Sequence, residues 1–277
     1  MRTPTPILFV LLLGACDARR YEKLAYGLYA DCVAEGQTVI EESSADYALD
    51  VRLTFTDAGR VAERLTDTTP DDDAWETEEQ WAYDDDHHAV TRRQILPATG
   101  ELLQEELWTW DGDLLLRHEI TDGEGTAFFI EERTYDRGAL IAMTQDQDGD
   151  GVVDLECAGA VTPVEEGQQT TLACTFVEPA GASFAVRSVI DDLDRPISYH
   201  SEMQPDDLVE DTQWTYREDG LEVVFTAAFS VEGSERDRQE RRTDYDDEGY
   251  RVAEHTTDFN RGQIRSTWET TWAYDCP

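Results

Sequence analysis

Thr243-Asp244-Tyr245-Asp246-Asp247-Glu248-Gly249-Tyr250-Arg251-Val252 is the stretch whose reading decides the fold. Tyr245 closes an extended segment in which successive side chains point to opposite faces. Asp246 can support a turn through its side chain, and Gly249 accepts the positive φ that such a turn demands. A second strand then runs from Tyr250 to His255, so the stretch reads as one hairpin.

The same hairpin is copied along the chain. An aromatic followed by an acidic or turn residue recurs in Trp81-Ala82-Tyr83-Asp84, Trp108-Thr109-Trp110-Asp111, Arg133-Thr134-Tyr135-Asp136, Trp214-Thr215-Tyr216-Arg217 and Trp272-Ala273-Tyr274-Asp275, with a weaker copy at Phe55-Thr56-Asp57. In these copies Trp and Tyr two apart share one face of a strand, and the Thr or Ala between them faces the other. The spacing is 28 residues from Phe55 to Tyr83, 27 to Trp110, 25 to Tyr135, and 29 for each of the last two intervals. The gap of 81 between Tyr135 and Tyr216 is three such periods, which places degenerate copies near Thr162 and Ile190. A period of this length means one supersecondary unit repeated many times. The expectation is an all-β, repetitive antiparallel meander of about fifteen strands, forming a curled sheet or a barrel-like wall.

Two segments fall outside this pattern. Tyr21, Leu24, Ala25, Leu28, Tyr29 and Cys32 recur at helical spacing and predict one short N-terminal helix, with a first strand over Tyr26 to Val33 as the competing reading. Before it, Arg2, the apolar run Ile7 to Leu13 and then Leu13-Gly14-Ala15-Cys16 have the grammar of a cleavable export signal. The run is too short to span a bilayer as a mature helix.

Both features resemble known families. Leu13-Gly14-Ala15-Cys16 is similar to the bacterial lipobox. That resemblance implies cleavage before Cys16, a lipid on its sulfur and a location in the bacterial cell envelope, at the inner or the outer membrane. The expected organisation is therefore a signal peptide over 1–15, an anchor and tether over 16–20, and a single repeat-built β domain over 21–277. Tyr245-Asp246-Asp247-Glu248-Gly249-Tyr250, with Gly262 and then Tyr274-Asp275, resembles the YD repeats of Rhs-type cell-surface proteins. In that family the repeats build curled antiparallel sheets with a structural or encapsulating role. This chain is too short for a full Rhs shell, so encapsulation does not carry over.

Composition restricts the partners. The chain holds 62 Asp and Glu against 22 Lys and Arg, a formal net charge of -40. Such a surface repels phosphate backbones and anionic headgroups, which excludes a basic-groove binder of nucleic acid and leaves acyl chains to provide membrane attachment. With Cys16 taken by lipid, four cysteines remain. An exported chain meets an oxidising compartment, so two disulfides are expected. Of three possible connectivities the favoured one joins Cys157 to Cys174 and Cys32 to Cys276.

One constellation carries chemistry. In Asp146-Gln147-Asp148-Gly149-Asp150-Gly151-Val152-Val153-Asp154, carboxylates stand at relative positions 1, 3, 5 and 9, a backbone carbonyl from Val152 at 7 and a turning glycine at 6. That is most of an EF-hand-type calcium loop, and hard Ca²⁺ wants six to eight oxygens. Position 12 holds Cys157 instead of a bidentate Glu. The expectation is a structural calcium clamp of modest affinity, replacing a hairpin turn between strands Ala139 to Met143 and Val152 to Cys157; an acidic turn without metal is the alternative. His87-His88 reads as a solvated turn. No Gly-x-Ser-x-Gly elbow, His-Glu-x-x-His helix, phosphate loop or dinucleotide fingerprint occurs.

The leading functional expectation is a lipid-anchored, non-enzymatic envelope protein acting as scaffold or binding module. A periplasmic carrier or assembly factor for an apolar ligand is the second; it requires a sheet closed enough to leave a cavity. A glycan hydrolase, with two carboxylates in an aromatic cleft, is the third.

Overall fold

The computed structural model describes residues 29–42, 46–68, 74–177, 182–193, 195–205, 207–217 and 220–276. Eighteen strands are present among them, more than the fifteen expected. They are β1 (Val33–Glu42), β2 (Asp46–Phe55), β3 (Val61–Asp67), β4 (Thr77–Tyr83), β5 (Ala89–Leu96) and β6 (Glu101–Asp111). Next come β7 (Leu114–Asp122), β8 (Ala127–Asp136), β9 (Ala139–Asp146), β10 (Leu155–Val164), β11 (Gly167–Phe176) and β12 (Ser183–Ile190). The last six are β13 (Pro196–Gln204), β14 (Leu208–Tyr216), β15 (Glu222–Val231), β16 (Ser234–Tyr245), β17 (Arg251–Asn260) and β18 (Gln263–Asp275).

Each strand pairs antiparallel with its successor, and β18 returns to pair with β1 over the register Val33↔Asp275 to Glu42↔Ser266. The sheet is thus a closed up-and-down barrel without a free edge. Because strands alternate in direction, all turns that follow even-numbered strands lie on one rim and all that follow odd-numbered strands lie on the other.

The repeated aromatic has a specific mechanical role. The pairing register slips immediately before Phe55, Tyr83, Trp110, Tyr135, Tyr216 and Tyr245, so each of these residues sits at a β-bulge. The polar tips of all of these except Phe55, and that of Tyr274 in the last copy, donate to a carbonyl of the preceding unit: Tyr83 to Val61, Trp110 to Ala89, Tyr135 to Leu115, Tyr216 to Pro196, Tyr245 to Glu222 and Tyr274 to Arg251, at 2.8 to 3.1 Å. A bulge frees a backbone carbonyl and the next repeat's phenol or indole satisfies it. The acidic residue after the aromatic builds the turn: Asp246 accepts the Tyr250 N–H at 2.8 Å, and Asp84 accepts those of Asp86 and His88.

The two degenerate copies differ. Ile190 does follow a register slip, and Asp191 accepts the N–H groups of Leu193 and Arg195. Thr162 instead lies within β10, which pairs with β11 without a slip and turns two residues later, after Val164.

The expected N-terminal helix is corrected where it can be compared. Residues 21–28 lie outside the described residues. Tyr29 to Cys32 form a turn, with the Cys32 N–H bonded to the Tyr29 carbonyl at 3.0 Å and Asp31 at φ 57°, and Val33 opens β1. The aromatic ring that set the helical spacing serves the barrel instead: Tyr29 lies 5.2 Å from Phe55 and 5.4 Å from both Tyr250 and Tyr274.

Both disulfides join the expected partners. Cys157 and Cys174 face each other across β10 and β11. Cys32 and Cys276 join the start of β1 to the end of β18, across 244 residues of sequence. Eight hairpin turns cap the first rim; at the ninth place, where β18 meets β1, this disulfide stands in for the turn.

Candidate functional site

The calcium-like loop joins β9 to β10 on the rim opposite the Cys32–Cys276 link. It is longer than expected on its far side: Val152 belongs to the loop, 52% exposed, and the next strand starts only at Leu155. Asp146, Asp148 and Asp154 come together, each offering a carboxylate oxygen within 4.8 Å of the others. Asp150 is not part of this group and instead accepts the Val152 N–H at 2.8 Å. Asp146 organises the turn by accepting from Gly149 at 2.7 Å and Gly151 at 2.8 Å, while Asp154 accepts from Gln147 at 2.7 Å. Each ionised carboxylate has about four lone-pair directions, so these bonds leave oxygens to face a cation. Three converging carboxylates with water completing the shell suit a hard divalent ion such as Ca²⁺.

Gly149 shows why this turn needs glycine. Its φ is 73°, and a Cβ there would stand 1.8 Å from the Ala127 carbonyl oxygen. Gly151, at φ 87°, has open space around it.

A second polar assembly lies on the inner wall, where no local motif announced it. On β6 the buried face carries Gln104, Glu106, Trp108 and Trp110, whereas Leu103 and Leu107 face outward. Register lines Glu106 up with Arg92 on β5 and Ile120 on β7. Arg64 on β3 approaches Glu79 at 3.7 Å; Arg92 ion-pairs with Glu79 and, at 2.6 Å, with Glu106; His118 meets Glu106 at 3.2 Å. On β8, Glu131 binds Arg133 at 2.6 Å and accepts from Gln145 at 2.7 Å, and Gln147 continues to Gln145 at 3.2 Å. A belt of alternating acid and base therefore follows the wall from β3 to the calcium-like loop. Burial alone would raise the Glu106 carboxyl, but the His118 hydrogen bond and the Arg92 charge outweigh it and hold the group below its ordinary range. Each acid here is matched to a base, which explains how so polar a face tolerates burial.

The stretch of wall that follows is apolar. Met143, Leu155, Cys157, Leu172, Cys174, Phe184, Val186 and Tyr199 form one cluster over β9 to β13, with Leu140, Phe176, Met203 and Trp214 packed against it. Near the seam, Ala34, Val51 and Leu53 form a smaller cluster with Trp272 and Tyr274. Trp268 shares its strand face with Ser266 and Trp272 and points inward, yet it is 37% exposed, so water reaches the inner wall beside it.

His88 departs from the solvated turn expected of it. It is buried, with its ring nitrogens 3.1 Å from Asp84 and 3.2 Å from Asp113, and so links two adjacent turns; His87 adopts the φ of 66° that the turn requires. Cys16, the expected lipidation site, lies outside the described residues.

No protein-family model and no curated protein matches the chain. Among solved structures it is similar to a porin-like protein from Bacteroides uniformis, at 12% identity over 88% of this chain and 96% of that one, with a TM-score of 0.42. A porin-like protein from Bacteroides vulgatus is 10% identical over 87% and 98%, with a TM-score of 0.39. A domain described as an outer membrane lipoprotein-sorting protein, from Vibrio parahaemolyticus, is 9% identical over 95% and 92%, with a TM-score of 0.30. All three scores are below 0.5, and the function proposed for this chain rests on its own residues.

Proposed function

We propose that this chain is a lipid-anchored protein of the bacterial cell envelope, with Cys16 as the acylated residue, and that its barrel is a non-enzymatic binding module. The observation that carries the reading is the inner wall: closed on itself, apolar over β9 to β13, charged over β3 to β8, and reached by water at Trp268. Closure argues against the flat open sheet of a passive scaffold. The two-sided wall fits an amphiphile better than a wholly apolar ligand, because the ion-paired belt would not be dehydrated without loss. The outer wall carries Arg93–Glu105, Arg117–Glu132 and His200–Asp211 at 2.6 to 2.7 Å. A charge on a lipid-facing strand costs about 2–4 kcal/mol at the bilayer midplane, so this wall belongs in water and attachment falls to the acyl chains. The belt acids are each held by a base or an amide rather than poised as an acid–base pair, which supports a role without catalysis.

The calcium-like loop is part of the same proposal, as a clamp on the rim away from the anchor side. Calorimetry with and without EDTA tests it: millimolar Ca²⁺ should raise the melting temperature of the wild type and leave Asp146→Asn with Asp148→Asn unchanged. Binding is tested by titrating the amphiphilic dye 1-N-phenylnaphthylamine. Saturable fluorescence gain, weakened in Trp268→Ala, is the expected result, and no saturable binding would overturn the reading. Labelled palmitate should enter the wild-type chain but not Cys16→Ser.

A further inference from the structure

Glu210 differs from the acids of the belt. It lies on the inward face of β14, opposite Ser201 on β13 and Phe229 on β15, and is 5% exposed. One oxygen, Oε1, accepts a long bond from the Thr212 hydroxyl at 3.4 Å; the other, Oε2, is buried without a hydrogen-bond partner. Ser201 and Thr212 beside it are 2% and 1% exposed, and Tyr199 and Trp214 tie this patch to the apolar cluster.

No cation of the neighbouring strands faces it. On β13, His200 and Glu202 point outward, with His200 bonded to Asp211 at 2.7 Å and to Glu202 at 3.1 Å. Asp211 of β14 also faces outward. On β15 the facing segment, Ala227-Ala228-Phe229-Ser230-Val231, holds no titratable side chain. Beyond it on β16, Asp237 stands opposite Phe229 and accepts from Asn260 at 2.8 Å, and Arg241 pairs with Glu222 at 2.7 Å.

A buried, unpaired carboxylate is tolerated as the neutral acid and strongly disfavoured as the anion. We propose that Glu210 is a proton-operated latch in the barrel wall: neutral, it lets β13 to β15 close against the apolar cluster; ionised, it draws in water and loosens those strands. The device goes beyond the binding role proposed above and does not depend on it. Burial pushes this carboxyl up to about 7, with the Thr212 hydroxyl opposing and the like charge of Asp211 adding. Its folded value lies above its unfolded one. The stability it supports is therefore complete below the ordinary carboxylate range and is lost as pH rises through about 7.

Amide hydrogen exchange of the full chain in detergent micelles, corrected for the chemical exchange rate at each pH, tests the latch. Between about pH 6 and pH 8 the amides of β14 and β15 in the wild type should lose roughly tenfold in protection, while those of β3 to β8 hold theirs. Glu210→Gln keeps the shape without the charge and should remove most of the change, leaving only what the His200 pair carries; Glu210→Met serves should the amide variant not fold. The change should persist in His200→Gln. A drop of the same size in Glu210→Gln, its disappearance in His200→Gln, or no drop in the wild type would each overturn the proposal.

Discussion

Removing the Cys32–Cys276 link should cost this protein more than removing Cys157–Cys174, although both are single cross-strand disulfides. A disulfide acts largely by restricting the unfolded chain, and the restriction grows with the logarithm of the loop it closes. The sequence separations are 244 and 17 residues. At 25 °C the loop-entropy relation gives about 5.5 kcal/mol for the first and about 3 kcal/mol for the second. The native side of the balance points the same way. Cys157 and Cys174 are flanked by strands that a two-residue turn already holds together, whereas β1 and β18 are the first and last described strands and share no turn. The assay is equilibrium urea unfolding of Cys32→Ser with Cys276→Ser beside Cys157→Ser with Cys174→Ser, followed by tryptophan fluorescence. With a slope of about 3 kcal/mol per molar urea, the midpoints should fall by nearly 2 M and about 1 M. Equal losses, or a larger loss for Cys157–Cys174, would refute the view that this disulfide is the ninth turn of a closed ring.

Three further outcomes follow from the same geometry. Gly149→Ala should destabilise by more than 2 kcal/mol, because it combines strain at positive φ with a collision against the Ala127 carbonyl, whereas Gly151→Ala should cost only about 1 kcal/mol; thermal melts compare them. Arg92→Met leaves the buried Glu79 and Glu106 facing each other without their shared cation and should cost about 3 kcal/mol in urea unfolding, with much of the loss recovered when both acids become Gln. His200 sits between Asp211 and Glu202; burial opposes its protonation but the two carboxylates outweigh it and raise its pKa. Its contribution is therefore fully present below the ordinary histidine range and lost as pH rises through the raised folded value, so the melting temperatures of wild type and His200→Gln should converge in alkaline buffer and separate near pH 6.

Much of the candidate site was visible in one dimension because it is local. The loop Asp146 to Asp154 is continuous, and its backbone geometry follows from Asp and Gly at fixed offsets, so three of its four carboxylates do converge. Asp150 does not join them, since its carboxylate accepts the Val152 N–H within its own turn. The belt of Arg64, Glu79, Arg92, Glu106 and His118 was not visible. Its members come from five strands, and a charged residue at a period-two position reads as solvent-facing until the register places it inside. Leu103 and Leu107 mislead in the converse way, as apolar residues on an outer wall.

The chain's sequence determined the unit: an aromatic, a turn-forming Asp and a glycine every 25 to 29 residues can only be a hairpin whose two strands alternate in face. It also supplied the four cysteines that pair in the barrel, Cys32 with Cys276 and Cys157 with Cys174. The tertiary structure alone decided that eighteen strands close rather than stop as an open curl, that Tyr29 packs against Phe55, Tyr250 and Tyr274 beside the seam, and which face is inside. Those outcomes depend on shear and stagger summed around the ring and on contacts between residues more than two hundred positions apart. No local propensity encodes them, because each bulge shifts the register slightly and only their total brings β18 back to β1.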